Sequence, residues 1–341
     1  MDKSEKFSWR IPWKGIVLTF VVSMIALVVV VWKMANPSEV LQELAEYPLT
    51  YFLGALFFVL AAWVVDGQRI SMLARAVGHQ VPWWKMALLL GAANFLTLVT
   101  PFAGGGGALI VYALYRQGLK GSTATAIVIA GGLAGQLSLA SLGLLVSSTL
   151  SNVPKDLARY FPAMRIGALL YIAVLITLLV LILRSRRFFK WVFRKKDNSR
   201  SAAWLEEFRH SMHYLLVEKR PHFLACYAIA FSYYLVYYTG TFVLLSGFGV
   251  YSPSVRYAIS VLFSVAPVFS PIPGGAGVAE GIAWVVLDGA LAPDLLSTFI
   301  VLWRAVVFYI PIVLGGTIFA LLAMKWASKV ILPEEPDHTN E

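Results

Sequence analysis

The chain has 341 residues, 59% of them hydrophobic and 13% charged, with a mean hydropathy of +0.74. Soluble domains carry about 25% charged residues, so the balance excludes a water-soluble enzyme and fits a polytopic membrane protein. The net charge of +10 does not point to nucleic acid: the basic residues sit beside apolar runs, where they orient spans and meet lipid headgroups.

Residues 1–14 are charged and lack a small-residue cleavage site, so the apolar run 15–32 is expected to remain as a first span behind a cytoplasmic N-terminus. Trp9, Trp13 and Trp32 would anchor it. The loop 33–46 holds Glu39, Glu43 and Glu46 and is expected outside. A second span, 47–65, stops at Asp66, and 67–85 with Arg69 and Arg75 reads as an interfacial stretch on the cytoplasmic side. Residues 86–100 then meet the break Pro101-Phe-Ala-Gly-Gly-Gly-Gly107. Fifteen helical residues reach about 22 Å, short of a hydrocarbon core of about 30 Å, so the pattern predicts a hairpin that enters and returns. A full span, 124–150, carries Gly131, Gly132 and Gly135 for close helix packing. An outer loop follows at 151–165, then a return span at 166–183.

Residues 184–220 hold eleven Lys/Arg against four Asp/Glu and are therefore expected in the cytoplasm. Trp204, Leu205, Phe208, Met212, Leu215 and Leu216 recur there at helical spacing. This predicts a basic amphipathic helix on the inner leaflet, in contact with anionic lipids. His210 and His213 read as solvated. The span 223–245 carries Phe231, Tyr233, Tyr234, Tyr237 and Tyr238, which suit either a lipid groove or an interface belt, the belt being favoured. The short runs 257–270 and 282–287 flank the second break, Ser270-Pro-Ile-Pro-Gly-Gly-Ala-Gly-Val-Ala-Glu280. The last span, 295–322, ends before Lys325, Lys329 and a cytoplasmic tail at 326–341.

The expected fold is an all-α polytopic membrane protein: about six full spans, two re-entrant helical hairpins, and an inverted repeat of about 15–150 and 163–325. Broken helices at matching places in two halves point to a transport site at the repeat interface. The glycines of both breaks either line that cavity or only allow close packing, the cavity reading being favoured. Glu280 and Arg304 are the charges least able to reach water. They form either an internal ion pair or a headgroup site, with the guanidinium on phosphate. Asp66 and Asp288 read as interfacial, and Asn94 and Gln136 as interhelical hydrogen-bonding groups. Cys226 is the only cysteine and reads as an apolar filler. Hydrolase, nucleotide-binding and metal motifs do not occur, so no cofactor or metal is expected.

Pro271-Ile-Pro-Gly-Gly-Ala-Gly-Val-Ala-Glu280 resembles the PxPGGxGxxE signature of the lysylphosphatidylglycerol synthase transmembrane-domain family, also called the flippase-like domain. Asn94 to Gly106 with Tyr115-Arg116-Gln117-Gly118 resembles its other hallmark, and Arg304, Tyr309 and Pro311 resemble its closing span. Where many relatives carry a glutamate after the first glycines, this chain has Gly107 and Ala108. The resemblance implies movement of aminoacylated or otherwise modified phospholipids between leaflets of the cell membrane, with links to lipid metabolism and antibiotic resistance. It implies a substrate site at Glu280, Arg304, Pro271, Pro273, Gly274, Gly275, Gly277, Asn94, Pro101, Gly105, Gly106, Arg116 and Tyr309. Two-domain members add a soluble aminoacyltransferase, which this sequence lacks, so lysyl-lipid synthesis by the chain alone is not expected. The alternatives are an embedded partner of a separate lipid-modifying enzyme and, more weakly, a transferase with Glu280 as base. A second copy of the chain is the other partner considered.

Overall fold

The computed structural model describes residues 37–100, 104–150, 154–184, 199–249, 252–265, 278–287 and 291–331, together with Ile25 and Gly275. The expected first span at 15–32 therefore lies outside the described residues, apart from Ile25. The elements are helices throughout: α1 (Pro37–Glu46), α2 (Leu49–Ala76), α3 (Trp83–Val99), α4 (Gly104–Arg116), α5 (Gly121–Thr149) and, after a single turn at Lys155–Ala158, α6 (Phe161–Arg184). They continue as α7 (Ser199–His213), a π turn (Tyr214–Glu218), α8 (Arg220–Ser246), α9 (Pro253–Val265), α10 (Val278–Leu287) and α11 (Pro293–Arg304). A second π turn (Ala305–Tyr309) then leads into α12 (Ile310–Ile331).

Five of these rods are long and apolar enough to cross a membrane: Leu49–Ala76, Gly121–Thr149, Phe161–Leu181, Arg220–Ser246 and Pro293–Trp326. Apolar sequence adopts this form because a helix satisfies its own backbone where no water can. The protein is an all-α polytopic membrane protein.

Glycines set how closely the rods approach. The broadest interface joins α2 to α8, where a Cβ on Gly240 would lie 3.0 Å from the Ala55 carbonyl. At Gly67 a Cβ would lie 2.8 Å from the Ala87 nitrogen, bringing α2 against α3. A Cβ on Gly315 would run into the Gly91 carbonyl, so α12 meets α3 backbone to backbone. Small residues at crossings are how helices associate in lipid, where apolar burial offers little drive. Polar stitches add to this between α5 and α8: Ser138 donates to the Tyr227 carbonyl at 3.0 Å, and the Tyr227 hydroxyl donates to Ser141 at 2.8 Å.

Three expectations change. Residues 37–46 are a helix, not a loop, with Val40 buried and α1 packed on α11. The second span does not stop at Asp66 but runs on to Ala76, because Asp66 and Arg69 pair one turn apart and neutralise each other. The stripe Phe208, Met212 and Leu215, expected to face lipid, is buried in the main core, and α7 packs on α5. Residues 185–198 of that insert lie outside the described residues.

Lys120 and Ser122, at the start of α5, both donate to Glu207 of α7 and hold its carboxyl below the usual carboxylate range. A lowered folded pKa stabilises above the unfolded value and loses that contribution as pH falls through the folded one. Thermal midpoints followed from about pH 6 to about pH 3 should show Glu207→Gln losing less stability on acidification than the parent.

Candidate functional site

The second break supplies the site. α10 begins at Val278, and Glu280 stands in its first turn, where the helix N-terminus favours a carboxylate. Arg304 closes α11. Its Nε donates to Glu280 Oε1 at 2.7 Å and its Nη2 to Oε2 at 2.6 Å, a bidentate pair. Nη2 also donates to the Gly275 carbonyl at 3.1 Å. The Trp303 and Phe308 rings lie 5.3 and 5.2 Å from the guanidinium carbon. Glu280 is 0% exposed and Arg304 1%, so both charges are wholly withdrawn from solvent.

Gly275 holds φ +65°, a conformation that costs an L side chain about 1–2 kcal/mol, and this aims its carbonyl at Arg304. Gly275→Ala should lose about that much stability, whereas Gly275→Asn, which tolerates the left-handed region, should lose less. Chemical unfolding of the two purified variants checks the order.

The hydroxyls of Ser297 and Thr298 on α11, two turns before Arg304, are buried without a hydrogen-bond partner. Buried hydroxyls are normally satisfied, and among the described residues nothing bonds to these two.

At the first break, Thr100 joins two helices. Its hydroxyl donates to the Leu96 carbonyl at 2.6 Å, ending α3, and accepts from the Gly105 N–H at 3.0 Å, starting α4. A Cβ on Gly106 would lie 2.6 Å from the Ala93 carbonyl, and one on Gly105 3.1 Å from Leu96 Cβ. These two glycines sit where α4 approaches α3 closely. α3 and α4 fold back on each other, and Gly118, at φ +97°, ends α4 by sending its N–H to the Tyr115 carbonyl.

Of the expected site residues, Glu280, Arg304 and Gly275 come together, and Tyr309 ends the π turn that follows. Asn94 is half-buried on α3, while Arg116 is exposed at the far end of α4. Pro101, Pro271, Pro273, Gly274 and Gly277 lie outside the described residues, as does Asp288.

Among the α8 tyrosines, Tyr238 is buried and Tyr233, Tyr234 and Tyr237 are half-buried. They stack along α8 at ring separations of 4.9–5.9 Å, and Tyr238 is 1% exposed. Tyr233 lies within electrostatic reach of Asp66 and Arg69, and Tyr237 of Arg304. The row of rings thus runs along α8 from the neighbourhood of one ion pair to that of another. The second pair was missed: Arg69 donates to Asp66 and to the Gly131 carbonyl at the middle of α5. Its signal was the apolar sequence resuming at Ile70 straight after the two charges.

The sequence description of the lysylphosphatidylglycerol synthase TM region matches residues 16–315, the stretch that contains both breaks, Glu280 and Arg304. The chain belongs to that family. No curated protein matches it. As a member of the lysylphosphatidylglycerol synthase TM family, it carries its buried acid–base pair on α10 and α11, within a membrane domain.

Proposed function

We propose that this protein is a lipid translocase, moving phospholipid headgroups between leaflets past the Glu280–Arg304 pair. The observation that carries the reading is that pair: two opposite charges, bidentate and dry, at a helix break in a membrane domain. Ionisable groups at such depth are costly and mark substrate paths. The broken pairs α3–α4 and α9–α10 act as re-entrant hairpins that enter from opposite faces, as an inverted repeat requires.

The chemistry is an exchange of partners. A headgroup phosphate takes the guanidinium bidentately, and a headgroup ammonium takes Glu280. Both buried charges then stay compensated. A lipid with phosphate alone strands Glu280, at a cost of several kcal/mol. The favoured cargo therefore bears a phosphate and a cation together, as an aminoacylated phosphatidylglycerol does. The hydroxyls of Ser297 and Thr298 offer the hydrogen bonds that a moving headgroup needs.

The test is leaflet-resolved transport of fluorescent lipid in proteoliposomes with an impermeant quencher. Aminoacylated phosphatidylglycerol should cross faster than phosphatidylglycerol, and the double variant Glu280→Leu with Arg304→Met should fall to the rate of empty vesicles. Parental rates in that variant would remove the pair from the mechanism.

A further inference from the structure

The last turn of α2 carries a cation that the fold leaves uncompensated. α2 has 28 residues and is about 42 Å long against a hydrocarbon core of about 30 Å, so its ends reach headgroup level. Arg75 stands in the last turn, where Gly78 and His79 close the helix by donating to the Arg75 and Ala74 carbonyls at 2.9 and 3.0 Å. Trp83 and Trp84 open α3 just beyond, 45% and 51% exposed, as aromatic residues stand at a membrane interface. Among the described residues, no hydrogen bond or ion pair engages the Arg75 side chain.

Arg75 lines two cavities. The first, ≈ 290 Å³, is walled by Gln68, Ser71, Met72 and Arg75 of α2, Trp83 of α3 and Ile229 of α8. The second, ≈ 460 Å³, lies in the α2–α3 turn against Gln80, Val81 and Pro82. No carboxylate lines either one. Ser71 is 1% exposed, and its hydroxyl has no hydrogen-bond partner among the described residues. A guanidinium, an amide and an unused hydroxyl thus share one wall, with positive charge alone. That is the chemistry of a site for a phosphate, whose several oxygens take a guanidinium fork and further donors together.

The other side of Trp83 selects the source of that phosphate. Trp83 also lines an apolar slot of ≈ 330 Å³, with Leu60 and Val64 of α2, Leu88 of α3 and Ile318 of α12. Leu60, Val64, Gln68 and Met72 follow at four-residue steps, so slot and polar cavity succeed one another along one stripe of α2. From Leu60 to Arg75 the rise is about 22 Å, the reach of a long acyl chain and its headgroup. A free phosphate ion has no use for the slot, whereas a phospholipid fills both.

We propose that Arg75, with Gln68 and Ser71, binds the phosphate of a phospholipid whose acyl chain passes Trp83 into the slot between α2, α3 and α12. The site stands independently of the translocation reading, since it concerns occupancy and not movement.

The experiment uses the full chain in nanodiscs containing phosphatidylglycerol with a diazirine on one acyl chain, and in parallel diacylglycerol with the same chain. Irradiation should label peptides around Leu60–Val64 and Trp84–Leu88 from the phospholipid, and much less from diacylglycerol. Arg75→Gln should cut that labelling about tenfold, the scale of one lost charge-assisted hydrogen bond, and Arg75→Lys should restore part of it. Because Arg75 is exposed and unpaired among the described residues, neither change should disturb folding. Lys85→Gln removes a neighbouring interfacial cation that lines none of these cavities and should leave the labelling at the parental level. Equal labelling by diacylglycerol, parental labelling in Arg75→Gln, or an equal loss in Lys85→Gln would each overturn the proposal. Displacement by an excess of inorganic phosphate would do the same by assigning the site to a soluble anion. Transport lost in the Glu280/Arg304 double variant with labelling intact separates this site from the translocation reading.

Discussion

Glu280→Gln and Arg304→Ala should each destabilise the protein by about 3–5 kcal/mol, while Glu280→Leu combined with Arg304→Met should be close to neutral. Each single change leaves one charge buried opposite a neutral group, with no water to replace the missing partner. The double change removes both desolvation costs together and puts apolar side chains of similar volume in their place. Cys226 provides the readout, being buried and the only cysteine, so a thiol-reactive coumarin reports unfolding without further labelling. Thermal midpoints should drop by roughly 10 °C in each single variant and recover in the double. Singles as stable as the parent would mean that the pair does not form.

Gly315→Ala should be among the most damaging one-carbon additions in the chain, and Gly316→Ala beside it clearly milder. The new methyl at residue 315 meets the Gly91 carbonyl, which is backbone and cannot turn aside. At residue 316 it meets the edge of the Phe95 ring at 3.3 Å, a side chain that can give by a few tenths of an ångström. Overpacking costs about 1–3 kcal/mol, with the upper end expected where the neighbour is rigid. The same thiol-reactive melt should separate the two variants, and matching midpoints would show that α12 does not cross α3 at Gly91.

Hydropathy located the long rods because a helix must be apolar for about 20 residues to cross lipid, and five of the expected spans end within five residues of the observed helices at most ends. The clear exception is α2, which was cut short at Asp66. A charge looks like the end of a span when read alone, and only its partner one turn later shows that the helix continues. The end of α3 at the first break was legible from proline and glycine, while the second break lies, Gly275 apart, outside the described residues. The sequence also singled out Glu280 and Arg304 as the dry charges and left an ion pair between them as one of two readings, since a separation of 24 residues leaves the distance open. How deeply the α8 tyrosines are covered depends on how closely α2 and α5 approach α8, and Gly240, Gly131 and Gly135 set that only in three dimensions.

The π turn at Ala305–Tyr309 carries a geometric consequence. Arg304 and Gly315 are eleven residues apart, almost three whole α turns, so an unbroken α-helix would align them along one edge of the rod. The wider turn takes up one extra residue and shifts the azimuth of everything after it by about 100°. That offset lets one rod keep its guanidinium on Glu280 and its bare backbone on Gly91, two neighbours that a uniform winding would set in competition for the same side.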